Sequence, residues 1–127
     1  IMKKKKPDAN DTAQVELNLK RAVIDMLVLQ LLHERDMYVK EIVDELECQS
    51  GGLFKLVCPY NIIMRMVEIG YILELPRRIA PDGRRRQYYS ISEEGEIRLK
   101  TLSKYYHRFT TQVFKVMVSD KTRKGTS

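Results

Sequence analysis

Two short runs rich in aromatic and β-branched residues, Tyr71-Ile72-Leu73-Glu74-Leu75 and Gln87-Tyr88-Tyr89-Ser90-Ile91, stand either side of Pro76 to Arg86 and leave few architectures open. Both read as strands. Between them Pro81-Asp82-Gly83 makes a turn by a known mechanism: proline presets φ, aspartate hydrogen-bonds locally, and glycine takes a positive φ. A lone hairpin is barely stable in water, and the rest of the 127-residue chain is helical in pattern. The predicted class is mainly α with a small β-hairpin seated on helices.

From Val15 to Glu34 there is neither Gly nor Pro, and Ala22 to Leu32 is apolar nearly all round, as in a central buried helix. Asp36 is placed to start a second helix reaching Cys48, with Val39, Ile42, Val43 and Leu46 on its core-facing stripe. Gln49-Ser50-Gly51-Gly52 ends it. A third helix begins at Pro59, a residue suited to the first helical position, and stops at Gly70. Ile62, Ile63, Met66 and Ile69 point one way; Asn61, Arg65 and Glu68 lie on another face, with Tyr60 and Met64 beside them. Met26, Met37, Met64, Met66 and Met117 read as fillers of core or interface.

Three helices followed by a basic hairpin is the order of a winged helix-turn-helix, whose third helix enters the major groove while the wing crosses backbone or minor groove. Charge agrees with that order. Between Arg77 and Arg86 five arginines face Asp82 alone, so this segment carries +4 of the chain's net +6. Arginine forks onto phosphate and enters narrow minor grooves. A solvated hairpin with a charged tip is the plainer alternative; helix order and charge together favour duplex DNA.

Ser92 is placed to cap a last helix, with Glu93 and Glu94 in its dipole-positive first turn. Leu99, Leu102, Tyr106, Phe109, Val113 and Val116 follow at alternating steps of three and four, a narrow seam that reads as a dimer interface, with an intrachain core as the alternative. The expected organisation is a disordered basic tail over 1–14, a winged helix-turn-helix over 15–92, a C-terminal dimerisation helix over 93–118 and a flexible tail over 119–127. Met2-Lys3-Lys4-Lys5-Lys6 resembles the charged start of a signal peptide, but Pro7 to Asp11 follow instead of an apolar stretch, so the expected location is cytoplasmic, with no membrane partner.

Other classes fit poorly. Cys48 and Cys58 cannot frame a disulfide scaffold, and His33 and His107 lack neighbours of metal-ligand type, so no metal or cofactor is expected. No nucleophile–base pair stands out, and Gly51-Gly52 lacks the flanking strand and lysine of a phosphate-cradling loop; no catalytic residue is assigned and the chain is not read as an enzyme. Cys58 is expected to be a small buried apolar residue, with an oxidation switch as the sharper alternative.

The residues also resemble a known family. Ala22-Val23-Ile24-Asp25-Met26-Leu27-Val28-Leu29-Gln30-Leu31-Leu32, Met37-Tyr38-Val39-Lys40-Glu41-Ile42 and Ser50-Gly51-Gly52-Leu53-Phe54 look like PadR-type transcriptional regulators. So do Arg65-Met66-Val67-Glu68-Ile69-Gly70-Tyr71-Ile72 and the stretch from Gly83-Arg84-Arg85-Arg86-Gln87-Tyr88-Tyr89 to Gly95. The resemblance runs from Ala22 to Val118 and implies a dimeric, ligand-responsive repressor of the short form, with a single C-terminal dimerisation helix. The chain departs from the family where it approaches the third helix: Val57-Cys58-Pro59-Tyr60-Asn61 replaces the usual Gly-Thr-Leu-Tyr-Pro, and the wing has no tryptophan. Either the operator differs from the common type or DNA binding is weaker.

Site residues follow. Arg84, Arg85 and Arg86, with Lys55 and Arg77, are the expected phosphate contacts. Tyr60, which matches the family tyrosine facing DNA, and Asn61, Met64 and Arg65 are the expected readers of base edges. Two protomers joined by their last helices place the third helices about one turn of duplex apart, hence a roughly palindromic operator. The resemblance also implies a small planar aromatic effector at the dimer interface, stacked on Tyr106, with Tyr105 and Phe109 close by and Phe114 adding aromatic surface; aromatics that only fill the interface are the alternative. The rival function is a winged-helix protein-interaction module without sequence-specific DNA binding.

Overall fold

The computed structural model describes residues 12–126. Helix α1, Thr12–Glu34, is about 35 Å long. Its second half is the central rod: Val28, Leu29, Leu31 and Leu32 are all buried, with Ile24, Met26 and Leu27 packed against the same core. The helix starts at Thr12, so residues 12–14, expected in the tail, belong to α1; the Lys3–Lys6 tract lies outside the described residues.

Asp36 does not start the second helix. The chain stays extended through β1, Met37–Tyr38, and α2 runs Val39–Gln49. The reason is sheet pairing: Met37 and Tyr38 lie opposite Tyr89 and Tyr88 of β5, Tyr88–Ile91. Glu41 then reaches back to accept the Tyr38 N–H at 3.3 Å. Val39, Ile42 and Leu46 are buried, as their spacing predicts. At the far end the Gly52 N–H donates to the Glu47 carbonyl at 2.8 Å, with Gly51 and Gly52 both at positive φ.

Helix α3, Pro59–Ile69, buries Ile63 and Met66. Ile69 is half exposed instead of core-facing, because Gly70 (φ +99°) turns the chain away there and Tyr71 N–H bonds back to the Met66 carbonyl at 2.9 Å. β2, Ile72–Glu74, pairs with β5, giving a three-stranded antiparallel sheet in the order β1-β5-β2. The hairpin continues outward as a separate ladder between β3, Arg78–Ile79, and β4, Arg85–Arg86. Its tip is the expected turn: Gly83 has φ +83°, and Asp82 accepts the Arg84 N–H at 3.0 Å.

Ser92 joins three elements. Its hydroxyl donates to the Gly70 carbonyl at 2.6 Å and accepts the Gly95 N–H at 3.0 Å, while its own N–H donates to the Tyr71 carbonyl at 3.0 Å. Helix α4, Glu93–Thr126, begins there as predicted and extends about 51 Å, continuing through residues 119–126 where a flexible tail was expected. Leu99 is buried and Leu102 partly so; both pack on the chain's own core. Beyond them α4 leaves the core, and Tyr106, Phe109, Val113 and Val116 are exposed. A hydrogen-bonded pair, His33 Nδ1 and Glu96 Oε2 at 2.8 Å, ties the end of α1 to the start of α4.

Candidate nucleic-acid interface

Two surfaces make up the candidate interface: the first turns of α3 and the hairpin. Cys58, just before α3, sits in the left-handed region (φ 53°, ψ 54°), unusual for a residue with a side chain. It is exposed, contrary to the expectation of a small buried residue, because this backbone turn holds it outside the core. The turn aims Tyr60 and Asn61 outward; Tyr60 is 61% exposed. Met64, one turn on, is half-buried against the core cluster. Lys55, in the preceding loop, is exposed and 3.9 Å from Glu47.

Arg65 is already engaged. Its guanidinium forks onto Asp25 of α1, Nη1 to Oδ2 at 2.9 Å and Nη2 to Oδ1 at 2.7 Å, which raises its pKa further. Nothing in the sequence flagged Asp25.

In the hairpin, the cross-strand pairs Arg78↔Arg86 and Tyr38↔Tyr88 interlock. The two tyrosine rings meet edge to face, with centroids 5.4 Å apart. Arg78 lies 3.8 Å from the Tyr88 centroid and Arg86 lies 4.9 Å from that of Tyr38. Each arginine also has a carboxylate: Arg86 donates to Asp82 Oδ2 at 2.7 Å, and Arg78 is 4.0 Å from Asp36. Two like charges thus stand opposite each other at low cost, each on an aromatic face and beside an anion. The Arg86 Nε is buried and has no hydrogen-bond partner among the described residues. Gln87 fixes the hairpin's base by donating to the carbonyls of Leu75 and Tyr88.

The pKa values of Arg86 and Tyr89 are both raised; the hydrogen bond to Asp82 is the main cause for Arg86, and the Tyr60 phenol is a lesser contributor to each. Burial is the main cause of the Tyr89 rise, with Glu74 second. Tyr38 is likewise raised, first by desolvation and then by Asp82. Arg77, Arg84 and Arg85 are exposed, and none of their guanidiniums forms an ion pair among the described residues. They are the cations this surface can offer an incoming polyanion.

A second feature is formed by a different set of residues. An apolar groove of about 630 Å³ runs between α1, α4 and the loop after α2, lined among others by Leu19, Met26, Phe54, Tyr105, Tyr106 and Phe109. Tyr105 and Phe109 stack with centroids 6.3 Å apart. Among the described residues no group of His, Cys, Asp and Glu is arranged to hold a metal ion, and no helix is long and apolar enough to cross a membrane.

The sequence matches a family model, and the fold matches solved structures. Residues 28–101, more than half of the chain, match the Transcriptional regulator PadR-like family. A transcriptional regulator from Clostridium thermocellum superposes with a TM-score of 0.69 at 25% identity, over 77% of this chain and 96% of that one. A PadR-like regulator from Bacillus cereus gives 0.69 at 18% identity, over 79% and 96%. A PadR family regulator from Clostridium difficile gives 0.60 at 24% identity, over 76% and 98%. A comparison with curated proteins finds no match. With three helices, a basic wing and a long terminal helix in this order, and with the family model covering the core of that arrangement, the chain belongs to the PadR-like family of transcriptional regulators.

Proposed function

We propose that the protein is a dimeric repressor that binds a roughly palindromic duplex operator in the cytoplasm and responds to a small planar aromatic molecule. One observation carries the DNA part: Arg84 and Arg85 are exposed wing cations whose guanidiniums form no ion pair among the described residues, in a fold that also exposes Tyr60 at the start of α3. In this reading Arg77, Arg84 and Arg85 hold phosphates, with Lys55 adding to them from the loop, and Tyr60 and Asn61 meet base edges. Met64 contributes an apolar contact at the edge of the helix.

The exposed seam of α4 supports dimerisation. Tyr106, Phe109, Val113 and Val116 form an apolar stripe on a helix that projects past the core, and such a stripe is stable in water when a partner covers it. Pairing of two such helices sets two copies of α3 about one duplex turn apart. The groove beside Tyr105, Tyr106 and Phe109 supports an effector, since stacked aromatics in an apolar channel suit a planar ligand.

The test is the salt dependence of duplex binding by the full chain and by an Arg84→Ala/Arg85→Ala variant. The dimer loses two phosphate contacts in each protomer, four in all, so the magnitude of the slope of log K against log salt falls by about 3.6. An unchanged slope would show that the wing does not meet the backbone. Sedimentation of a Phe109→Asp variant tests the seam in parallel: a shift from dimer to monomer is expected, and an unshifted dimer places the interface elsewhere.

A further inference from the structure

We infer that the Asp25–Arg65 fork is the positioning element of the recognition helix: it sets the rotation of α3 about its own axis, and Arg65 itself reads no base. The inference rests on the DNA-binding reading above. Three observations carry it. First, α3 is short: it has 11 residues, fully buries only Ile63 and Met66 while Ile62, Met64 and Val67 pack partly on the core, and its N-cap, Cys58, gives no side-chain cap. Second, the fork crosses 40 residues of sequence to join α3 to α1, the most deeply buried rod of the fold. Third, Arg65 lies one helical turn beyond Asn61, so whatever fixes Arg65 also fixes the face that carries Asn61.

The pair is half exposed, with side chains 51% and 37% accessible, and pairs of that kind add little to stability. What a planar two-bond fork adds is geometry, because guanidinium and carboxylate must stay coplanar. With Nη1 and Nη2 both engaged, the end-on fork of Arg65 is occupied by Asp25, which also cancels its charge locally.

The experiment is selection of random duplexes by the full chain, followed by titration of the selected operator, on four proteins: the parent, Asp25→Asn, Arg65→Gln, and the charge-swapped double variant Asp25→Arg/Arg65→Asp. Asp25→Asn is the decisive arm because it makes the protein more positive, so charge alone would tighten binding. Positioning predicts the opposite. Asp25→Asn and Arg65→Gln each weaken the operator about tenfold, as coupled neighbours do, and leave the preferred bases unchanged. The swapped pair recovers most of that loss. If Arg65 instead read a base, Arg65→Gln would relax preference at one position of each half-site, Asp25→Asn would bind as tightly as the parent or tighter, and the swap would rescue nothing; that pattern overturns the inference. A parent protein that enriches no motif overturns the inference together with the DNA-binding reading, and is told apart because it needs no variant.

Discussion

The guanidinium of Arg78 lies 3.8 Å from the centre of the Tyr88 ring, and Tyr88 in turn meets Tyr38 edge to face. This contact joins the outer ladder of the hairpin to the inner sheet, so the wing is held by side chains where its backbone pairing is interrupted. Tyr88 is buried, and Tyr88→Leu keeps most of its apolar area while removing both ring contacts. A cation–π contact at an exposed site is worth about 0.5–1 kcal/mol and an aromatic pair about 0.5–1.5, so the expected loss is about 1–2.5 kcal/mol in urea unfolding. A loss no larger than that of Arg78→Ala would mean the tyrosine pair contributes nothing.

Gly95 gives a prediction in which two effects have opposite signs. It lies inside the first turn of α4, where alanine would normally be favoured by about 1 kcal/mol. A Cβ at this position would collide with the carbonyl of Tyr71 and come within 2.7 Å of Ile91 Cγ1. The carbonyl is backbone and already accepts the Ser92 N–H, so it cannot simply turn aside. Overpacking costs about 1–3 kcal/mol and wins: Gly95→Ala lowers the urea midpoint. A raised midpoint would show that α4 does not approach Tyr71 this closely.

Cys58 holds a left-handed backbone without glycine. The left-handed region costs an ordinary residue about 1–2 kcal/mol, and a β-branched side chain is the worst fit. The parent cysteine already bears that cost, so Cys58→Val destabilises only by the added strain of its branched Cβ, whereas Cys58→Asn, which tolerates this conformation, is neutral or slightly stabilising. Equal midpoints for the two variants would contradict the geometry at the start of α3.

Asp82 gives a pH dependence. Hydrogen bonds from Arg86, and then from the Arg84 N–H, hold its carboxyl below the ordinary aspartate value. A depressed folded-state value means a contribution that is present above the unfolded value, about 3.9, and is lost as pH falls through the folded one. The tie between Asp82 and Arg86 is therefore intact near neutrality and released only in acid. The stability difference between the parent and Asp82→Asn, read from urea midpoints, should be largest above about pH 5 and shrink as pH falls through the depressed folded-state value. A difference that stays constant over that range would show that Asp82 is not tied to Arg86 in solution.

The helices, the hairpin and the Ser92 cap were legible because each is written locally, in apolar spacing, in Pro81-Asp82-Gly83 and in a serine placed before Glu93 and Glu94. The short strand at Met37–Tyr38 was not: its pairing with Tyr88 and Tyr89 spans about 50 residues of sequence, and Asp36 offered a plausible local cap that tertiary pairing overrode. The basic wing could be read as charge, but its division could not. Which arginines remain available depends on Asp82, four residues from Arg86, and on Asp25 and Asp36, acids that only the fold brings beside Arg65 and Arg78. The 3-4 spacing of α4 makes its seam look like one stripe, whereas the fold splits it after Leu102 into a part that packs inside the chain and a part that faces outward.

The most direct measurement is selection from random duplexes by the full chain at near-physiological salt, with Tyr60→Ala alongside. Enrichment of a two-fold-related motif, with half-site preference relaxed in Tyr60→Ala, is the result expected of a dimer that reads bases through the start of α3. Binding that enriches nothing and fades steadily with salt would contradict it, and would mean that the net charge of +6 draws DNA without reading it.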